Sequence, residues 1–199
     1  MGYFDNRNAL FWRETMNHFG TVTFETKRLI CRKFVLEDDE DMLKNWIFDP
    51  CVQNEYGEVT YTTIAQVRNL LMKYISAYQK ADFYRWAIIE KKSHENIGQI
   101  AFCKVYSDCQ IAEIEYCIGK MYWGHGYAGE ALAGVIDFTF KNTDFLKLEA
   151  YHRCKNIKSG KVLAKSPMHI TDTVERLKRE NRPPHDEICY CIEKTEYKI

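Results

Sequence analysis

Residues 122–132 read "YWGHGYAGEAL", and what this loop holds decides the fold. Gly124-His125-Gly126-Tyr127-Ala128-Gly129 spells G-x-G-x-x-G, the glycine pattern of dinucleotide-binding sheets. Glu149 stands where that pattern wants its ribose-binding carboxylate. Three observations reject a nicotinamide site. The first strand of a doubly wound sheet is buried on both faces and reads as an unbroken apolar run. Here "IAEIEYCI" (111–118) alternates, with Glu113 and Glu115 on one face and Ile114, Tyr116 and Ile118 on the other. The pattern also needs its first glycine almost directly after the strand, yet residues 119–123 intervene. Finally, the segments upstream form a strand meander, whereas a doubly wound sheet alternates strands and helices. A Walker loop is excluded because no G-K-[ST] follows. What survives is physical: glycines at a helix start let backbone N–H groups approach an anion, with the helix dipole assisting.

Outward from the loop, a helix is expected from about Gly126 to Lys141, with Ala128, Ala131, Leu132 and Val135 as its buried stripe. "FYRWAIIE" (83–90), "NIGQIAFCKV" (96–105) and "IAEIEYCI" are β-type runs joined by short connections, which favours antiparallel pairing. "RLICRKFV" (28–35), "LKLEAYHR" (146–153) and "EICYCIEK" (187–194) read as further strands. "EDDEDMLKNW" (37–46) suits a helix with acids at its N-terminus. A second helix runs from Thr62 or Thr63 to about Gln79, and "IKSGKVLAK" (157–165) forms a short one. Residues 171–182 fit a helix or a strand equally. The aromatic-rich residues 1–22 read as an extension packing on the body, and 23–199 as a single domain.

The chain has 199 residues, with 28 basic and 28 acidic side chains. That balance gives no basic footprint for nucleic acid, and no apolar run is long enough to span a bilayer. Residues 1–20 lack the basic start, apolar centre and cleavage site of a secretory signal, and Asn6 breaks the myristoylation pattern. Eight cysteines are scattered without a C-x-x-C, so free thiols in a reducing cytoplasm are expected. His185, Cys189 and Cys191 are weighed as a zinc set and set aside, because the two cysteines alternate as on one face of a buried strand. No metal is expected.

The ordered segments "RLICRKFVLEDDEDM", "IGQIAF", "AEIEYCIG", "YWGHGYAGEAL", "LKLEAYHR" and "NIKSGKVLAK" together resemble the GNAT superfamily of acetyl-CoA-dependent N-acetyltransferases. The likeness is strongest to the branch acting on ribosomal-protein N-terminal amines, and it covers about residues 24–195. It implies an α/β (α+β) fold with a mixed, mostly antiparallel sheet, a central splayed parallel strand pair, and flanking helices. It implies acetyl-CoA as co-substrate, pantetheine alongside the backbone of Cys117 and Ile118, and the pyrophosphate on Trp123, Gly124, His125, Gly126, Tyr127 and Ala128. Asn156 and Ser159 match the family's N-x-x-S segment at the donor site, and Asn156 is also a good helix N-cap. Lys155, Lys158, Lys161 and Lys165 recur on one face that could meet coenzyme phosphates or simply be solvated.

The chemistry so implied is direct attack of a neutral amine on the thioester, which needs a base, an oxyanion donor and an acid for the thiolate. Glu113, Glu115 and Glu149 are candidate bases: Glu113 matches the family's usual acidic position, and Glu115 replaces a usual glycine. Leu163 occupies the position of a frequent acidic tyrosine, which leaves Ser159 as the candidate acid. Pro167 stands where the family has a helix-ending glycine. The acceptor is expected between residues 37–79 and the sheet, beside Trp46, Asp49, Glu55, Tyr56, Glu58, Tyr61 and Tyr84. It is a primary amine, either a protein N-terminus or a small molecule such as an antibiotic, polyamine or amino-sugar. A CoA-binding module without turnover is the alternative from another class. The expected assembly is a monomer or homodimer.

Overall fold

The computed structural model describes residues 16–197. Eight strands form one sheet: β1 Phe24–Glu25, β2 Leu29–Arg32, β3 Arg85–Glu90, β4 Asn96–Tyr106, β5 Ile111–Ile118, β6 Lys147–Arg153, β7 His169–Thr171 and β8 Glu187–Glu193. Their spatial order is β1-β2-β3-β4-β5-β6-β8-β7. Every neighbouring pair is antiparallel except β5–β6.

That exception positions the site. β5 and β6 pair only from Ile111↔Lys147 to Ile114↔Ala150. Beyond those four rungs β5 stays with β4 as far as Gly98↔Ile118, while β6 stays with β8 as far as Arg153↔Glu187. The two strands therefore diverge, and a notch opens between them. β4 carries a bulge opposite, where Phe102 pairs with Ile114 and Lys104 with Glu113, leaving Cys103 unmatched. A bulge bends its strand and re-aims the extra side chain.

Helices cover both faces. α4 (Tyr127–Asn142) buries Ala131, Leu132, Val135, Ile136 and Phe140 on one face, against Trp86, Ile100 and Ile114. On the other face, α1 (Asp39–Met42) and α3 (Ile64–Ala77) pack Met42, Val67 and Leu71 against Ala87, Ile89 and Cys117. α3 begins at a capping box: Thr63 Oγ1 accepts from Gln66 N, and Gln66 reaches back to the Thr63 N–H.

The single helix read over 37–46 is instead wound in pieces. A 3₁₀ turn (Leu36–Asp38) leads into α1, and Leu43–Ile47 widens into a π turn. The wide turn brings Asn45 Nδ2 to the Asn96 carbonyl at 2.9 Å and Trp46 Nε1 to Asn96 Oδ1 at 2.7 Å. β1, α2 (Pro50–Tyr56) and β7 lie outside the sequence reading, and β2 is half the length of its apolar run. The ambiguous stretch 171–182 begins at the last residue of β7 and resolves into the helix α6 (Glu175–Glu180). Of the N-terminal extension, residues 1–15 lie outside the described residues. Met16 is buried in the core, and Trp86 Nε1 donates to the Val22 carbonyl at 2.7 Å.

Candidate active site

A cavity of about 600 Å³ occupies the notch, between α4, the short helix α5 (Ile157–Leu163) and α2. Its first wall is the opening loop of the sequence. Gly124 and Gly126 hold φ of +79° and +81°, the left-handed region that glycine enters without penalty. Nothing stands within 4 Å of where a Cβ on Gly124 would lie, so the loop faces open space. The N–H groups of Tyr127, Ala128 and Gly129 open a 16-residue helix and have no carbonyl four residues back within it. Glu130 anchors this turn to the connection between β1 and β2, accepting from Thr26 Oγ1 (2.6 Å), Arg28 N (2.7 Å) and Arg28 Nε (2.6 Å). Arg28 also donates to the His125 carbonyl at 2.9 Å and lies over the Tyr127 ring. Gly124, Gly126, Tyr127 and Ala128 line the cavity, as does Trp123. His125 does not; its ring stacks beside Tyr127.

β5 forms the second wall. The Gln110 carbonyl is turned to Leu146 ahead of β6, whereas the Gly119 N–H is turned to Ile97 of β4. Backbone groups alternate sides along a strand, so those of Tyr116 and Ile118 face the notch and those of Cys117 face β4. The backbone expectation for Cys117 therefore shifts to its neighbours, although the Cys117 side chain lines the cavity. The Ile118 carbonyl is already taken, accepting from Trp123 Nε1 at 2.7 Å.

α5 forms the third. Asn156 caps it, with Oδ1 accepting from Ser159 N at 3.0 Å, while its Nδ2 reaches the Glu55 carbonyl of α2 at 3.3 Å. Ser159 Oγ lies 2.8 Å from the Tyr116 hydroxyl. Lys158, Lys161 and Lys165 line the cavity and Lys155 does not; Lys158 sits over the Trp123 ring. Pro167 is accommodated because a left-handed cap is not used. Ser166 N and Oγ both donate to the Leu163 carbonyl, at 3.0 and 2.7 Å, and end the helix ahead of the proline.

The three candidate bases separate. Glu115 lines the cavity, its Oε1 accepting from Arg85 Nη2 at 2.7 Å. Arg85 Nη1 is held by Gln99 at 2.6 Å, and Gln99 donates to the Tyr56 hydroxyl at 3.1 Å. Burial, and then the nearby Glu115 carboxylate, push the Tyr56 phenol well above its ordinary range. Glu113, offered as a base beside Glu115 on one face of β5, is 3 % exposed. It accepts from Arg176 Nε at 2.9 Å and from the Cys103 thiol, and Arg176 is shared with Glu187 at 2.7 Å. Burial raises the Glu113 carboxyl, with Arg176 opposing. Glu149 is fully buried, paired with Lys147 at 2.9 Å and accepting from Glu175 N at 2.8 Å. Both carboxylates lie beneath α6, whose presence the sequence pattern left open. They hold that helix down and do not line the cavity. Trp46 and Tyr84, counted with the acceptor region, are core residues about 1 % exposed, whereas Glu55 and Tyr56 do line the cavity.

A splayed parallel pair, with a glycine loop at its mouth and a carboxylate on its inner wall, encloses the cavity. Residues 28–169 match the acetyltransferase (GNAT) domain family. The chain belongs to the GNAT acetyltransferases. It is 31 % identical over 141 residues to the N-acetyltransferase p20 of Bacillus licheniformis, covering 71 % of this chain and 79 % of that one. Among solved structures, this GNAT chain is similar to a ribosomal-protein-S5-alanine acetyltransferase from Vibrio fischeri. The TM-score there is 0.70 at 18 % identity, over 89 % of this chain and 100 % of that one. It is also similar to a ribosomal L7/L12 alpha-N-protein acetyltransferase in complex with coenzyme A. That match has a TM-score of 0.70 at 14 % identity, over 86 % and 98 % of the two chains. At these identities the structural likeness speaks for the fold.

Tyr116, which lines the cavity, and Arg85, which holds Glu115, are the residues that sequence reasoning passed over. Tyr116 was legible only as one of an apolar stripe, and nothing in the spacing singles out Arg85.

Among the described residues no group of three or more His, Cys, Asp or Glu side chains is placed to hold a metal, and no helix is long and apolar enough to cross a membrane. All eight cysteines are free thiols.

Proposed function

We propose that the chain transfers acetyl from acetyl-CoA to a primary amine by direct attack on the thioester, with a protein N-terminus as the leading acceptor. The observation that carries this reading is the notch itself. It runs from the glycine loop, past unpaired backbone on β5, to a wall holding Glu55, Tyr56 and Glu115. Backbone N–H groups at the start of α4 suit a pyrophosphate, and Lys158, Lys161 and Lys165 add positive charge beside it. The Tyr116 and Ile118 N–H groups face the splay, as donors for a pantetheine carbonyl or a developing oxyanion. Glu115, oriented by Arg85, takes the amine's proton directly or through water. Two carboxylates at the acceptor end favour a cationic amine over an anionic one. The ribosomal-protein acetyltransferases among the structural neighbours support a protein N-terminus, and the unpaired thiols support a cytoplasmic setting.

Calorimetric titration with acetyl-CoA, against NADH as the rival ligand, comes first. Micromolar acetyl-CoA binding is expected, with NADH silent; the reverse overturns the reading. Mass spectrometry of peptides with free and blocked N-termini, alongside polyamines, aminoglycosides and amino-sugars, then identifies the acceptor. Acetylation confined to small amines reassigns the substrate. Acetyl-CoA binding with no acceptor modified leaves a binding module without turnover.

A further inference from the structure

Acetyl transfer, as proposed above, develops negative charge on the coenzyme sulfur as the carbon–sulfur bond breaks. Leu163, where the family resemblance looks for an acid, is fully buried and has no proton to give. Two hydroxyl groups, however, bridge the splay. Tyr116 reaches from β5 to Ser159 in the first turn of α5, with 2.8 Å between the oxygens. The Tyr116 hydroxyl also lies 3.3 Å from the Ser159 carbonyl, and both side chains line the cavity.

Counting protons separates their roles. Each hydroxyl carries one, and their mutual bond uses one of the two. With Ser159 donating to Tyr116, the phenolic O–H is left with only the long carbonyl contact, which a sulfur atom entering the notch can replace. The phenol is also fixed to the strand whose N–H groups face the splay, so its position relative to a thioester laid along β5 is set by the sheet. We infer, on the reading of the site given above, that the Tyr116 hydroxyl is the hydrogen-bond donor to the departing thiolate and that Ser159 orients it.

The step balances without consuming that proton. The nitrogen–carbon bond forms, the carbon–sulfur bond breaks, and the electron pair passes to sulfur facing the Tyr116 O–H. The proton that neutralises sulfur is the one nitrogen sheds on becoming an amide, carried by Glu115 or water. Burial pushes the Tyr116 phenol up to about 12, with the Ser159 bond opposing. An ordinary thiol ionises near ~8.5, so outright transfer from the phenol would run uphill, whereas donation of a charge-assisted hydrogen bond does not.

The test reads the sulfur directly and needs no acceptor. CoA bound to the wild-type protein, Tyr116→Phe and Ser159→Ala is titrated by thiolate ultraviolet absorbance, each differenced against the same protein holding desulfo-CoA. A hydrogen bond to a charged group corresponds to a thiolate fraction roughly ten- to a hundredfold higher at a given pH below the thiol's range. The wild type should show this gain, Tyr116→Phe should lose it while still binding CoA, and Ser159→Ala should lose part. With an acceptor in hand, kcat of Tyr116→Phe should fall by a similar factor with the KM for acetyl-CoA unchanged. Identical titration in wild type and Tyr116→Phe overturns the assignment, and loss confined to Ser159→Ala moves the donor to the serine. Failure of the wild type to bind CoA overturns the acetyl-transfer reading itself, and this assignment with it.

Discussion

Replacing Arg176 by Met separates structural carboxylates from catalytic ones. Arg176 joins Glu113, 3 % exposed, to Glu187 through contacts of 2.9 and 2.7 Å. Removing the cation strands the Glu113 carboxylate out of water, while Glu187 keeps Arg182 at 2.8 Å, and breaking a buried pair from one side costs about 3–5 kcal/mol. For a chain of this size that is roughly 6–20 °C in Tm. Arg176→Met combined with Glu113→Gln should recover a large part, because the amide buries without a charge. Glu113→Gln alone should be nearly neutral. The Glu113 carboxyl is raised in the fold, so the folded state binds more protons than the unfolded one. Stability from this group is therefore present below the ordinary carboxylate range and lost as pH rises through the folded value. The amide escapes that loss. Urea unfolding of the four proteins at pH 5 and pH 7 completes the cycle, and Arg176→Met should approach the wild type at the lower pH. A cost below about 1 kcal/mol for Arg176→Met would refute the reasoning. So would a Glu113→Gln protein that folds and binds acetyl-CoA yet has lost turnover, since Glu113 would then be the base.

Glu115→Gln should lower kcat by roughly 10²–10³ with acetyl-CoA affinity held, measured by initial rates beside a calorimetric titration; unchanged kcat removes Glu115 as base. Gly126→Val forces a branched side chain to φ +81°, at a cost of about 1–2 kcal/mol, and should weaken acetyl-CoA binding at least about tenfold by distorting the first turn of α4. Asn156→Ala removes the cap of α5 and should cost about 0.5–2 kcal/mol by thermal unfolding. The same change should raise the KM for acetyl-CoA, because Ser159 and the lysines ride on that helix.

The parts of the molecule visible in its sequence are those held by short-range rules. β5 ends where its alternation ends, α4 starts beside the glycine its turn requires, and Asn156 stands at the position from which it caps α5. The rest depends on what lies across a face. The burial of Glu113 was not legible because nothing near it in sequence announces α6, a six-residue helix with little periodicity to read. Tyr116 and Ser159 are 43 positions apart, and Arg85 and Glu115 are 30 apart, so no spacing rule links either pair. The π turn over Leu43–Ile47 was hidden for a related reason: its cause is Asn96 on a distant strand. The acidic run at 37–41 still reads as a good helix start, and tertiary contacts overrule its winding.

The four rungs between β5 and β6 also make this sheet a joint. Five strands lie on one side of the seam and three on the other, and within the sheet itself little ties them. A donor stretched along the open edge of β5 would add the missing rungs from inside, so the enzyme's own substrate completes its stiffness. Amide exchange in β6 and β8 should then slow on loading.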